Sequence, residues 1–230
     1  MKTIAIIPAR GGSKRLKDKN IKVLNGLPLL VHSIRYAQQF PDLIDGIFVS
    51  TNDKGIKQVA LEYGAQVIDR PEALSGDHAT TISALQHALG NVPDTVQHVV
   101  LLQPTNPLRP DALLPEALQV CFEGNYQSLF TVSRNHQKLG RIVDQQFVPY
   151  NYELGQRSQD LEPLYFENGL LYILQSDLIR QGKIMGAHSF PFVVDNPFSE
   201  VDIDTQADFD YATYLMGKVK SGKAELRRQN

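Results

Sequence analysis

Two clusters of charged residues near opposite ends of the sequence offer a joint chemistry. Between Arg10 and Lys22 stand Arg10, Lys14, Arg15, Lys17, Lys19 and Lys22 against a single anion, Asp18. Far downstream, Asp202 and Asp204 lie two residues apart in VDIDT, Val201 to Thr205. The whole chain has 23 Lys and Arg against 25 Asp and Glu, so the basic cluster is local and implies a local anionic partner. Gly11 and Gly12 permit positive φ and let a polyanion approach main-chain N–H groups, while Lys and Arg neutralise phosphate oxygens. In an extended segment Asp202 and Asp204 project from one face, with Val201 and Ile203 on the other. Two such carboxylates suit a hard cation such as Mg²⁺, which completes its shell with phosphate oxygens and water. A metal-assisted polyphosphate site is therefore the chemistry on offer. The competing readings are a solvated basic loop and turn-capping carboxylates. Thr205 and Asp208 do match a capping box for a helix over 206–216, so Asp208 is assigned to structure.

Spacing and composition exclude other classes. A Walker A loop would need glycine where Ile7 stands, and a GxGxxG fingerprint fails because Gly11 and Gly12 are adjacent with no third glycine in register. The histidines show no zinc-ligand pairing, and no GxSxG elbow accompanies the serines. There are no internal repeats, and aromatic residues do not interleave with basic ones as on a single-strand nucleic-acid platform. The 230 residues, 42% hydrophobic and 21% charged, are enough for a full core. The single cysteine, Cys121, sits in the apolar stretch Leu118 to Phe122 and reads as packing in a reducing cytoplasm. The apolar run in MKTIAIIPAR is too short for a signal peptide, and no stretch reaches the length of a membrane span. Neither a nucleic acid nor a membrane is expected as a partner.

The elements that must position these residues follow from periodicity. Ile4 to Ile7 reads as a buried strand feeding the basic loop, and Leu27 to Phe40 as a helix with Pro28 in its first turn. GIFVST, 46–51, is a second strand, 54–63 a helix capped by Asn52 or Asp53 and stopped by Gly64, and 65–69 a third strand. A loop through Ser75 to His78 leads to a helix from about Ala79 to Leu89, with Thr80 and Thr81 in its first turn, where free N–H groups meet ligands. HVVLLQ, 98–103, is a fourth strand ending in the polar group Gln103, Thr105, Asn106 and Arg109. This alternation argues for an α/β, mostly parallel sheet with helices on both faces, whose ligands bind at the carboxyl ends of the strands. The basic loop, Arg70 and Gln103 all follow strands at that edge. After a strand over 128–133, the polar segment 135–163, with a hairpin around 141–150, reads as an insertion. Leu164 to Leu174 then restores an apolar pattern, and 218–230 reads as a fraying tail.

The loop Ile7 to Lys22 resembles the signature of the acylneuraminate cytidylyltransferases, or CMP-sialic acid synthetases, whose first strand leads into an xPARxxSKxLxxKN loop. LLQPTNPLR, Leu101 to Arg109, and VDIDT match two further motifs in the same order, so the resemblance spans nearly the whole chain. It implies a Rossmann-like nucleotidyltransferase fold over 1–230, with 135–163 as a dimerisation arm reaching the partner's active site. It also implies a reaction in which CTP and a 2-keto-3-deoxy sugar acid give the CMP-sugar and pyrophosphate. By the family pattern Arg10, Lys14 and Lys19 act on the phosphates, and Ala9, Arg10, Asn20, Arg70, Asp77, Thr80 and Thr81 hold the nucleotide. Gln103, Arg157, Tyr165, Asn168 and Gly169 fall at sugar-contact positions, and Asp202 and Asp204 hold the Mg²⁺. Arg157 is expected in the dimer arm. One departure stands out: where some members carry an arginine beside a proline, this chain has Phe166 and Glu167. The octulosonate branch typically reads PARxxSxRLP, without the equivalents of Lys19 and Asn20, so a nonulosonic acid is the expected acceptor. The alternatives are an enzyme acting on 3-deoxy-octulosonate or a sugar phosphate, and a non-enzymatic nucleotide-binding dimer.

Overall fold

A computed structural model describes residues 2–196 and 198–226, with 219–226 as backbone alone. Strand β1 (Lys2–Pro8) is buried along its whole interior, the pattern of a central strand covered on both faces. After the basic loop, Asn25 and Gly26 at φ 52 and 89 close a small hairpin of β2 (Val23–Leu24) and β3 (Leu27–Pro28). Helix α1 (Leu29–Gln38) therefore starts later than the apolar spacing predicts, because Leu27 and Pro28 are held in that pairing. Strand β4 (Gly46–Thr51) leads to α2 (Lys54–Glu62), where the Asp53 carboxylate accepts from the Ile56 N–H at 2.9 Å, and then to β5 (Gln66–Asp69). Helix α3 (Thr81–Leu89) begins after Thr80, which is its cap rather than part of its first turn.

The second half supplies β6 (Val96–Leu101), α4 (Leu113–Glu123), β7 (Ser128–Asn135), β8 (Gly140–Val143) and β9 (Gln146–Pro149). It continues with β10 (Leu164–Gln175), α5 (Ser176–Arg180), β11 (Ser189–Val193) and α6 (Gln206–Leu226). Seven strands form one sheet in the order β11-β7-β10-β6-β1-β4-β5. Four pairings are parallel, and β10 runs antiparallel to both β6 and β7. The mostly parallel α/β fold is the expected one. The reversed β10 is not visible in its composition, because a strand's side-chain period reads alike in either direction. Helices α4 and α5 and strand β11 were not anticipated. Helix α6 continues past the expected end at Met216, carrying Gly217 and Gly222 within it, with no proline to stop it. Of the expected tail, 218–226 is thus helical, and 227–230 lie outside the described residues.

Alternate residues of β1 serve opposite faces of the sheet. Ile4 and Ile6 pack with Leu85 and Ala88 of α3 and Ile179 of α5. Ala5 and Ile7 belong to the core with Leu30 and Ile34 of α1, Ala60 of α2 and Leu114 of α4. A third apolar cluster joins Leu16 in the basic loop and Leu24 to Val201, Ile203 and Phe209. That cluster brings the basic loop against the VDIDT segment, from the two ends of the chain. Between β7 and β10, the β8–β9 hairpin leaves Ile142, Val143, Phe147, Val148 and Tyr150 exposed.

Candidate active site

The backbone of the basic loop is built to turn tightly over the end of β1. Gly12 adopts φ 67, and a Cβ on Gly11 would come within 2.9 Å of the Asp53 side chain, so glycine is required at both for different reasons. The Gly11 N–H donates to Asn52 Oδ1 at 3.0 Å, and the buried Asn20 donates from Nδ2 to the Arg10 carbonyl at 2.9 Å. Asn20 thus folds the loop across itself while lining the cleft below it.

That cleft encloses about 400 Å³ at the carboxyl ends of β1, β5 and β6. Arg10, Lys14, Lys19, Asn20, Arg70, Asp77, Thr80, Thr81 and Gln103 all line it, as do Asp204 and Arg15. Ala9 is buried among core residues and does not line the cleft, and its N–H donates to the Ser50 carbonyl at 3.0 Å, leaving only its carbonyl for any ligand contact. Four of the loop cations, Arg10, Lys14, Arg15 and Lys19, are balanced by a carboxylate from elsewhere. Arg10 donates to Asp77 at 3.2 Å and Lys14 also pairs with Asp77, holding that carboxyl below its ordinary pKa. Lys19 Nζ donates to Asp204 Oδ1 and to the Ile203 carbonyl, both at 2.9 Å, and Arg15 reaches Asp204 Oδ2 at 2.7 Å. Asp77 in this arrangement neutralises two phosphate-binding candidates. Thr80 uses its hydroxyl to accept from the Ser83 N–H at 3.2 Å, so capping and cleft lining fall on one residue.

Arg70 is the exception to this balance. It is 7% exposed, and its Nε and Nη2 have no hydrogen-bond partner. Burial, and then the nearby Arg10, pull its pKa below the ordinary guanidinium value. An anion in the cleft would relieve both effects.

The turn after β6 is a structural junction. Asn106, fully buried, donates to the Asn168 carbonyl at 2.9 Å and the Val201 carbonyl at 3.2 Å, and the Thr105 carbonyl accepts from the Ile203 N–H at 2.8 Å. One side chain therefore fastens β10 and the VDIDT segment to β6. Arg109 donates to the carbonyls of Leu170 and Gln103 and to Ser33 Oγ, stacks over Tyr36, and has a pKa lowered to about 10 by its burial. By sequence both residues belong to the polar edge of the site; in the fold they hold it together from inside.

A second cavity of about 300 Å³ adjoins the first, with Gln103 in the wall of both. Asn168, Gly169, Phe166, Glu167, Glu200 and Asp202 line it. The Asn168 side chain is committed to structure, donating to Ser133 Oγ at 3.0 Å and accepting from the Leu170 N–H at 3.2 Å. Gly169 adopts φ 74, and a Cβ there would lie 2.8 Å from Asn106. Two of the expected sugar contacts are not brought here. Tyr165 lines the neighbouring hollow beside Arg134 and His136 instead. Arg157 sits in the insertion, exposed and paired with Asp160 at 2.7 Å, and lines neither cavity. Glu200 carried no sequence signal, since it lies just outside the VDIDT motif.

The two carboxylates proposed for a metal divide between the cavities. Asp204 faces the cationic cleft and Asp202 the second cavity, while Val201 and Ile203 are buried as the alternation requires. Desolvation raises the Asp202 carboxyl above its ordinary range, a hydrogen bond from Thr105 opposes this, and Asp204 adds to it. Asp208 accepts from the N–H groups of Asp204 and Thr205 and from the Thr205 hydroxyl, as the capping box predicts. Among the described residues no group of three or more His, Cys, Asp or Glu is arranged to hold a metal ion alone.

A cation-lined cleft at the carboxyl edge of a mostly parallel sheet, opening into a second polar cavity, marks a Rossmann-like α/β architecture with an anion site at its ligand-binding edge. The chain belongs to the cytidylyltransferase family, whose family model matches residues 4–228. It is 34% identical to the N-acylneuraminate cytidylyltransferase of Streptococcus agalactiae over 91% of its length, and spans about half (52%) of that protein. It is 34% identical to the pseudaminic acid cytidylyltransferase of Campylobacter jejuni, covering 94% of this chain and 96% of that one. For the CMP-N,N'-diacetyllegionaminic acid synthase of Legionella pneumophila the identity is 35%, with coverage of 94% and 97%. In fold it is similar to a solved CMP:2-keto-3-deoxy-manno-octonic acid synthetase complexed with CTP, with a TM-score of 0.71, 18% identity, and 95% and 99% of the two chains covered.

Proposed function

We propose that this protein transfers CMP from CTP to a nonulosonic, sialic-type sugar acid and releases pyrophosphate. The observation that carries the reading is the unpartnered, buried Arg70 in a cleft that the basic loop lines and that opens at Gln103 into a separate polar cavity. A triphosphate supplies the anion the first cavity wants, and the second leaves room for an acceptor. The relatives named for N-acylneuraminate, pseudaminate and diacetyllegionaminate support a nonulosonic acid over octulosonate.

In this reading the C2 hydroxyl of the acid attacks the α-phosphorus in line. The new O–P bond forms as the bond to the β-phosphate oxygen breaks, the hydroxyl proton passes to solvent, and pyrophosphate leaves with the electron pair. Lys19, Lys14 and Arg10 exchange their carboxylate partners for phosphate oxygens, and Arg70 gains its first one. The α3 N-terminus with Thr80 and Thr81 borders the same space, while Gln103 orients the acceptor between the cavities. Asp202 and Asp204 would hold a Mg²⁺ ion: burial raises the Asp202 carboxyl and Asp204 adds to it, and a cation there would offset both. When bound, the ion supplies charge neutralisation at the reacting phosphates. The exposed apolar β8–β9 hairpin supports a homodimer in which Arg157 of each copy serves the other's acceptor site. The buried free Cys121 and the absence, among the described residues, of any helix long and apolar enough to cross a membrane accord with a cytoplasmic setting.

The test is pyrophosphate release measured across the four nucleoside triphosphates and a panel of 2-keto-3-deoxy acids. CTP with a nonulosonate is the expected pair. Preference for octulosonate would remove the acceptor assignment, and release with no acid in the panel would remove the activity.

A further inference from the structure

The second cavity has an acidic wall that a site for an anionic acceptor does not explain by itself. Glu167, Glu200 and Asp202 all line it, and no Lys, Arg or His does. The acid must place its C2 hydroxyl at the α-phosphate in the neighbouring cleft. Its carboxylate, on the adjoining carbon, then stays at the mouth beside the cations, and the remaining carbons extend toward Glu167.

Glu167 is aimed there by the fold. On β10, Glu167 pairs with Val132 and Tyr172 with Phe130, so four residues of β10 bulge out opposite the single residue Thr131. The bulge, turned by Gly169, brings Tyr172 within reach of Glu167, and the Tyr172 hydroxyl donates to Glu167 Oε2 at 2.9 Å. Burial and the Glu167 carboxylate raise the Tyr172 pKa, which keeps that hydroxyl a donor. One carboxylate oxygen is thereby tied down, and Glu167 is presented to the cavity as a fixed acceptor.

We propose that Glu167 is the residue that reads the distal end of the acceptor. It accepts a hydrogen bond from a hydroxyl or N–H substituent and discriminates against acids with no donor at that position. The proposal rests on the functional reading above, because it needs the second cavity to be the acceptor site. A carboxylate left facing a donorless group loses an interaction it had with water, so discrimination of tenfold to about a hundredfold is expected.

The experiment uses the nonulosonate that the full-length protein turns over fastest, with analogues in which each hydroxyl or acylamino group in turn is replaced by hydrogen. Values of kcat/KM are compared for the wild type, Glu167→Ala, Glu167→Gln and Tyr172→Phe, alongside KM for CTP and thermal unfolding. The wild type should lose at least tenfold with one analogue, and Glu167→Ala should erase that difference while KM for CTP stays within about twofold. Glu167→Gln, which still presents an accepting oxygen, should keep part of it. Equal discrimination in wild type and Glu167→Ala would overturn the proposal alone. A wild type that turns over no nonulosonate would overturn the functional reading and this inference with it.

Discussion

At the scale of single residues, charge placement separates binding groups from structural ones. Arg109 and Arg70 are comparably buried, yet Arg109 satisfies its guanidinium with two carbonyls and a hydroxyl while Arg70 leaves Nε and Nη2 empty. Arg70→Met is therefore expected to leave the unfolding free energy unchanged or raise it by about 1 kcal/mol, while CTP affinity falls at least tenfold. Calorimetric titration with CTP and denaturant unfolding check the two halves, and loss of stability with intact affinity would reverse the assignment. Lys19→Ala and Arg10→Ala should each lower turnover by about 10²–10³, the scale for deleting a charge-stabilising donor at a transition state. Unchanged kinetics in a folded variant would remove that residue from the mechanism. Asp202→Asn and Asp204→Asn should abolish Mg²⁺-dependent turnover and shift stability by no more than about 1 kcal/mol, because the isosteric amide keeps an oxygen toward the same donors. Wild-type rates at limiting Mg²⁺ would rule out the metal site.

At the scale of elements, the site depends on how segments are started and bent. Asp208 caps α6 with one carboxylate oxygen accepting from three donors, and these bonds hold its pKa below the ordinary value. A depressed carboxyl stabilises the fold fully above its unfolded pKa of about 4 and loses that contribution as pH falls through the folded value. Asp208→Ala should accordingly cost about 1 kcal/mol near neutrality, with the gap from wild type closing in acid. A gap that persists to low pH would show that the capping bonds are not its source. The β10 bulge depends on Gly169 in the same way that the basic loop depends on Gly12. Here the position also faces Asn106, which is why the family-like Asn168–Gly169 pair shapes the cavity floor even though the Asn168 amide is spent on Ser133.

At the scale of the whole molecule, the β8–β9 hairpin has no core of its own. Ile142 is 73% exposed, and Phe147 and Tyr150 beside it are more than half exposed. Such a surface is commonly closed by a two-fold dimer. Sedimentation at micromolar concentration should give a dimer, and Ile142→Glu with Phe147→Glu should give a monomer with impaired acceptor KM. A wild-type monomer would contradict the arrangement and leave Arg157 without a site.

The sequence by itself determined the local devices, because these are set by neighbours along the chain. The buried run of β1 and the adjacent glycines after it, the Asp53 and Thr205–Asp208 caps, and the alternation that buries Val201 and Ile203 between two carboxylates were all legible. Three ordered motifs also pointed to one family. What only the tertiary structure decided are the meetings across distance. Periodicity does not encode strand direction, so the antiparallel β10 and the bulge that aims Glu167 could not be read. Nor does it encode which polar side chains face inward: Asn106 and Asn168 became fasteners, Tyr165 turned to another hollow, and Asp202 and Asp204 faced different cavities. The contact between Lys19 and Asp204 depends on Leu16, Leu24 and Ile203 packing together from opposite ends of the chain. Hydrophobic burial of that kind is non-directional along the sequence, and only the closed core fixes which charges it sets side by side.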